Sequence, residues 1–214
     1  TVSSVYFPER DAVKLVSTPT SDIFDTDIDN SVKVSFYNGT KVIDALSHFN
    51  GDIQGKIKYT EIDGELMASD FTIENDDLKI NLACADPSLS FMEMSKEETD
   101  RAFSTEGSIF QFDLLTTHVD KMKSLFNLER DEDTFTLAVT DKGVAVQGLS
   151  YDATLAHSYE GDNAVGEKVV IYKKYINLLD KENYKVVVCS NKVVFKSLDT
   201  NTHLTVAVAI TDED

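Results

Sequence analysis

The chain has no tryptophan, two cysteines, three prolines and nine glycines in 214 residues. Two cysteines are too few for a disulfide framework. Both Cys84 and Cys189 stand in apolar, strand-like runs (INLACAD and VVVCSNK), which reads as buried thiols in a reducing compartment. Scarce proline and glycine among recurring Leu, Ile, Val and Phe exclude a disordered chain. No apolar run approaches the ~18 residues that suggest a membrane span. The opening residues lack the charged-then-apolar order of a secretory signal. A cytoplasmic protein with no membrane partner is therefore expected. Basic residues are scarce too: 20 Lys and Arg face 38 Asp and Glu, for a formal charge of −18 and a pI of about 4.5. That balance excludes a uniformly basic surface of the nucleic-acid-wrapping kind, while leaving room for a cationic face on an acidic body.

Catalytic and metal-binding patterns are also missing. His48, His118, His157 and His203 are dispersed and give no metal-ligand spacing. Ser, His and Asp occur without a G-x-S-x-G elbow. Gly51-Asp52-Ile53-Gln54-Gly55-Lys56 imitates a phosphate loop but is one residue short, and Ile57 replaces the required Ser or Thr. The alternating aspartates Asp25, Asp27 and Asp29 suggest calcium, yet Asn30 and Phe36 stand where that loop needs Gly and Glu. Asn38-Gly39-Thr40 fits a glycosylation sequon; without a secretory signal it reads as a helix cap. The expectation is a protein that is not an enzyme and has no metal and no cofactor.

What is present is mostly strand. Apolar or β-branched runs fall at Val2–Phe7, Ala12–Ser17, Ser21–Asp27, Val32–Tyr37, Ile53–Thr60, Glu65–Ser69 and Leu78–Cys84. They resume at Phe135–Val139 and Val144–Leu149, around the hairpin signal Asp141-Lys142-Gly143. Then follow Thr154–Glu160, Val169–Tyr172, Tyr184–Cys189, Val193–Ser197 and Leu204–Ile210. Helical period occurs at three places. These are 40–49, with Val42, Leu46 and Phe49 on one face; 113–126, with Leu115, Val119, Met122 and Phe126; and 173–180, with Tyr172, Ile176 and Leu179. Each is short and amphipathic and must lie against a sheet.

The polar stretch after Phe91 reads as a connector over 92–107, between an N-terminal domain at 1–91 and a C-terminal domain at 108–214. The two halves match: in each, a set of strands is followed by a strand, a helix and three more strands. The second half opens with a helix whose counterpart would precede Thr1, so an N-terminal helix is expected beyond the given residues.

The lysines are more informative than the carboxylates. Lys41 lies on the first predicted helix, Lys121 and Lys123 on the second, and Lys173, Lys174 and Lys181 on or beside the third. Lys174, Asn177 and Lys181 fall at i, i+3 and i+7, opposite the Ile176/Leu179 stripe. Six of the 20 basic residues thus sit in short helical segments of an acidic chain. Arg130 follows the second helix and is a weaker member of the set.

Two similar halves of short helices over antiparallel strands, with lysine outward on the helices, resemble the DNA sliding clamps. The resemblance is greatest to the polymerase processivity clamps of T-even-type tailed bacteriophages. It is carried by Phe36-Tyr37-Asn38-Gly39 before the first helix and by Ala83-Cys84-Ala85-Asp86-Pro87-Ser88 at a strand end. The block 133–150 and the stretch 176–210, with Glu182-Asn183-Tyr184-Lys185-Val186, complete it. The resemblance implies an α+β clamp fold and a homotrimeric ring around double-stranded DNA, with the helix lysines facing the DNA. It implies rings closed through edge strands, here Leu78, Ile80 and Leu82 against Thr154, Ala156 and Ser158 of the next subunit. It also implies a DNA polymerase and an ATP-dependent clamp loader as partners in viral DNA replication, in the host cytoplasm. A pocket for partner peptides would involve Phe91, Met92, Met94 and Phe110. The competing readings are an acidic DNA mimic that blocks a DNA-binding partner, a phage structural protein with a duplicated β-rich domain, and an enzyme.

Overall fold

A computed structural model describes residues 2–18, 34, 36, 39–62, 64–85 and 94–209. Its contacts divide the chain into two compact units. One comprises residues 1–2 and 19–93, the other 3–18 and 94–214. The first hairpin, β1 (Val2–Glu9) and β2 (Ala12–Thr18), was assigned to the N-terminal half by sequence order; from residue 3 onward it belongs to the second unit.

In the first unit, helix α1 (Gly39–Ser47) is followed by β3 (Gln54–Ile62), β4 (Glu65–Glu74) and β5 (Lys79–Ala83), an antiparallel meander in the order β3-β4-β5. Ala45 is buried on α1 while Leu46 is 41% exposed. The inward stripe is therefore 42-45-49, one position round from the expected 42-46-49. The Asn75 side chain accepts the N–H groups of Asp77 and Leu78, an Asx turn that closes the β4–β5 hairpin. Glu74 pairs with both Lys56 and Lys79, and these cations hold its carboxyl below the usual range. The expected strands at Ser21–Asp27 and Val32–Tyr37, and the aspartates at 25–29, lie largely or wholly outside the described residues.

The second unit is built twice from one pattern. Strand β6 (Ser108–Leu114), helix α3 (Thr116–Phe126) and strands β7 (Thr134–Thr140), β8 (Gly143–Gln147) and β9 (Asp152–Ala156) form one βαβββ repeat. The other is β10 (Lys168–Tyr172), a 3-10 helix (Lys173–Leu178), β11 (Tyr184–Cys189), β12 (Lys192–Ser197) and β13 (Asn201–Ala207). Each lead strand joins the other repeat's sheet. The orders are β10-β7-β8-β9 and β1-β2-β13-β12-β11-β6. Strict alternation drives this. Phe110, Phe112 and Leu114 of β6 point into one core with Tyr184, Val186 and Val188 of β11, and with Val119 and Met122 of α3. Each such side chain removed from water stabilises the fold by roughly 1.5–3 kcal/mol.

Sequence periodicity placed the second helix too early and missed β6. Residues 113 and 114 belong to β6, and Leu115, 44% exposed, caps the helix. The Leu115 N–H donates to His118 Nδ1, and the Thr116 N–H donates to Asn183 Oδ1, so two of the helix's orphan donors are satisfied from side chains. The third helix is a 3-10 helix that ends at Leu178, with Tyr175 and Ile176 buried.

The expected connector contains a helix, α2 (Lys96–Phe103), opened by a capping box in which Ser95 and Glu98 bond each other's backbone N–H. It buries none of its own residues. Its last turn is held on the sheet by Lys192, which donates to the Arg101 and Ala102 carbonyls, and by Thr205, which donates to Ala102. Phe103 lies 6.1 Å from the His203 ring. Cys189 is buried and Cys84 half-buried; both are free, and burial pushes both thiols up. No described helix is long and apolar enough to cross a membrane.

The hairpin is fastened by a buried cation. Lys14, 7% exposed on β2, donates to the Leu178 carbonyl at 3.2 Å and to Asp180 Oδ2 at 2.6 Å, just past the 3-10 helix. Removing the carboxylate strands the ammonium, whereas removing the ammonium strands only half-exposed acceptors. Asp180→Ala is therefore expected to cost about 2 kcal/mol, discounted because Asp180 is half exposed, and Lys14→Met less than half of that. Denaturant unfolding checks the order.

Burial lowers the pKa of both His118 and His203 from 6.5. The folded state then binds protons less readily than the unfolded chain. Stability is full above pH 6.5 and is lost as pH falls from there through the lowered values. The double variant His118→Gln, His203→Gln keeps a side chain that suits the helix cap at the first position. It is expected to flatten that slope in unfolding curves between pH 7 and 5.

Candidate nucleic-acid interface

The predicted lysines divide into three kinds. Lys41, on α1 of the first unit, is exposed. Lys181 is exposed too, but it stands beyond the 3-10 helix in the turn to β11. In a 3-10 helix residues i and i+3 eclipse, so Lys174 and Asn177 share a face, and the helix ends before Lys181 can join them. Lys123 on α3 is half-buried. Among the described residues the ammonium groups of these three lysines, Lys41, Lys123 and Lys181, make no hydrogen bond or ion pair.

The other three carry internal contacts. Lys121 donates to the Thr154 carbonyl on β9 at 2.7 Å. Lys173 donates to the Glu129 carbonyl at 2.7 Å and lies 5.5 Å from the Phe126 ring centre, binding the 3-10 helix to the end of α3. Lys174 pairs with Glu9 of β1 at 3.2 Å, over Tyr172 and Tyr175. Glu9 raises its pKa, so it stays charged.

Together α3 and the 3-10 helix bound an open cleft of about 660 Å³. Lys123, Arg130, Lys173 and Lys174 line it, against Glu129, Glu132 and Asp133. Four cations to three carboxylates make this surface nearly neutral, in a protein whose formal charge is −18. Arg130 thus belongs to the basic set. The cleft floor includes a feature that sequence reading missed: Glu129 is 8% exposed, accepts the Ser150 N–H, and so ties the β8–β9 turn to the end of α3. Nothing in the run NLERDED distinguishes this carboxylate from its solvated neighbours. Tyr151 packs beside it, and burial followed by the Glu129 charge pushes its hydroxyl up to about 12.

The expected edge residues fall on or beside two strands that, among the described residues, end their sheets. β5 ends the three-stranded sheet, with Leu78, Ile80 and Leu82 half-buried. β9 ends the four-stranded sheet and is shorter than the expected Thr154–Glu160. Thr154 is half-buried, Ala156 is 7% exposed and packs into the core, and Ser158 is exposed beyond the strand. Of the expected peptide pocket, Phe91 and Met92 lie outside the described residues and Met94 is half-buried. Phe110 is 1% exposed, its ring stacked against Phe112 in the core, and it offers a ligand no surface. Alternation along β6 turns it inward.

A scan of the sequence against known protein families finds no match, and a search of curated proteins finds none. In three dimensions the chain is similar to DNA polymerase sliding clamps. The sliding clamp of Bacillus subtilis matches with a TM-score of 0.65 at 12% identity, over 94% of this chain and 52% of that one. The beta subunit from DNA polymerase of Streptococcus pyogenes gives 0.62 at 13%, over 98% and 57%. The A. fulgidus PCNA, solved with the C-terminal region of FEN-1 bound, gives 0.59 at 12%, over 96% and 84%. The chain thus spans little more than half the length of the bacterial clamps. At these identities the likeness is one of fold: antiparallel sheets with few short helices, in the DNA-clamp arrangement, over nearly the whole chain.

Proposed function

We propose that this protein is a sliding clamp, a homotrimeric ring that encircles duplex DNA and tethers a replicative polymerase for processive synthesis. The sequence resemblance makes it a clamp of the T-even-phage type in this reading, opened by an ATP-dependent loader, with no catalysis and no cofactor of its own. The observation that carries this reading is the clamp fold, matched over 94–99% of the chain. Two clamp domains per chain, one on either side of the 92–107 connector and with the hairpin at 3–18 counted in the second, would give a trimer six.

The chemistry of the helix face supports it. A tether that slides needs attraction to phosphates without the bidentate contacts that read bases. Exposed or half-buried lysines in a nearly neutral cleft supply that, weakly and without sequence preference. The acidic remainder repels DNA from the other surfaces. The A. fulgidus PCNA carries a segment of FEN-1, and by analogy this chain would take short partner peptides, with Phe91, Met92 and Met94 as candidate contacts.

The ammonium groups of Lys41, Lys123 and Lys181 have no hydrogen bond or ion pair to break among the described residues, so reversing them to Glu, with the fold checked by circular dichroism, tests the DNA face. Anisotropy of a short duplex across salt is expected to show at least a tenfold loss of binding at low salt. The log–log salt slope should fall by about 0.9 for each phosphate contact removed. Unchanged binding removes these lysines from the DNA face.

The ring is testable at β5. The Asn75 N–H donates to Leu78 O, so ladder alternation turns the N–H and C=O of Lys79, Asn81 and Ala83 away from β4. Asn81→Pro removes one outward donor and no β4–β5 ladder bond. Light scattering on the wild type is expected to give about 71 kDa, three times 23.8 kDa, in a closed head-to-tail assembly. Asn81→Pro is expected to give monomers. A variant that keeps the native mass moves the interface elsewhere.

A further inference from the structure

The two open edges are not alike. The Gly148 N–H donates to the Tyr151 carbonyl, and Val146 pairs with Ala153 two residues on. By ladder alternation, Asp152 and Thr154 turn their N–H and C=O groups away from β8 toward the open side. One of those outward groups is taken. The Lys121 ammonium, reaching across from α3, donates to the Thr154 carbonyl at 2.7 Å. A lysine donates and cannot accept, so the outward N–H of Thr154 stays unpaired among the described residues.

We infer that Lys121 is a removable guard on the β9 edge, competing with a second copy of this chain for the Thr154 carbonyl. The occupant it holds off is β5 of that copy. β5 and β9 are each five residues long, and among the described residues each ends its sheet and presents outward backbone groups. One chain carrying two different open edges has what a head-to-tail assembly requires. When the strand arrives, its N–H replaces the ammonium on the Thr154 oxygen. Lys121 then returns to solvent on the exposed surface of α3. Edge pairing is thereby weakened by the cost of one charge-assisted bond, and the released charge joins the helix face only in the assembled protein. This rests on the sliding-clamp reading for its occupant, but its structural basis is the Lys121–Thr154 contact.

The test is a light-scattering dilution series on the full chain, comparing wild type, Lys121→Met and Lys142→Met. Met keeps the aliphatic stem of Lys121 and removes the donor. Lys142, in the β7–β8 turn, makes the same charge change at a side chain that takes no part in the Thr154 contact. Lys121→Met is expected to associate about tenfold more tightly than wild type, and Lys142→Met no more tightly. A wild type that stays monomeric while Lys121→Met assembles also supports the guard. If wild type assembles and Lys121→Met assembles equally or less well, the guard is overturned and the ring stands. If neither associates at any concentration, both fall.

Discussion

The exchange of lead strands between the two βαβββ repeats is the constraint on which the second unit depends. β6 belongs by sequence to the repeat of β7, β8 and β9, yet it pairs with β11; β10 belongs with β11, yet it pairs with β7. Neither repeat can bury its own sheet without the other's first strand. The two helical segments, which follow those strands, are carried to one place by the same exchange. That brings Lys173 to the end of α3 and creates the cleft between them. The nearly neutral cleft is therefore a consequence of strand pairing, not of helix–helix attraction.

Charge is handled by position more than by amount. The cations nearest the core are each committed to a defined acceptor: Lys14 to Asp180 and Leu178, Lys173 to Glu129, Lys185 to Asp113 and Glu160. A buried ammonium without such a partner would cost several kcal/mol. Those at the rim, Lys123 and Lys181, have none among the described residues, and exposure makes that cheap. A mobile polyanion can be met only by charges that are not already committed, which is why the unpaired lysines weigh more in the functional reading than their number suggests.

Much of the fold was legible because short apolar runs bounded by turn residues mark the strands: alternation survives in β10, while β8, β11 and β12 are buried over three or four consecutive residues and read as continuous apolar runs. The clamp resemblance, read from those strands and the helix lysines, agrees with the fold. β6 escaped although Phe110-Gln111-Phe112-Asp113-Leu114 alternates cleanly, because the helical stripe that follows it was extended backward over Asp113. The capping box Ser95-Lys96-Glu97-Glu98 announced α2 as plainly, but a helix that buries none of its residues leaves no apolar stripe to find. Phe110 was misread for the opposite reason: an aromatic near a polar stretch looks available until the strand's facing is known. Lys14 was readable in principle, since it alternates with Ala12 on the buried face of β2. Glu129 was not, because its burial is decided by the β8–β9 turn that folds over it.

Strands of the second unit are covered to different degrees, and the strength of the cover separates permanent pairings from exchangeable ones. β13 is covered by a full ladder to β2, six residue pairs long, and opening it would expose a row of backbone groups at once. The edge at β6 is closed by the reciprocal Gln111–Glu160 bridge, reinforced by Gln111 and Lys185 side chains on the Glu160 carboxylate. β9 has one lysine. A naked edge invites indiscriminate pairing and aggregation, whereas a ladder would prevent pairing altogether. A single side-chain donor lies between these extremes. It can be displaced by a strand that brings several backbone bonds, and it disfavours a chance contact that brings only one.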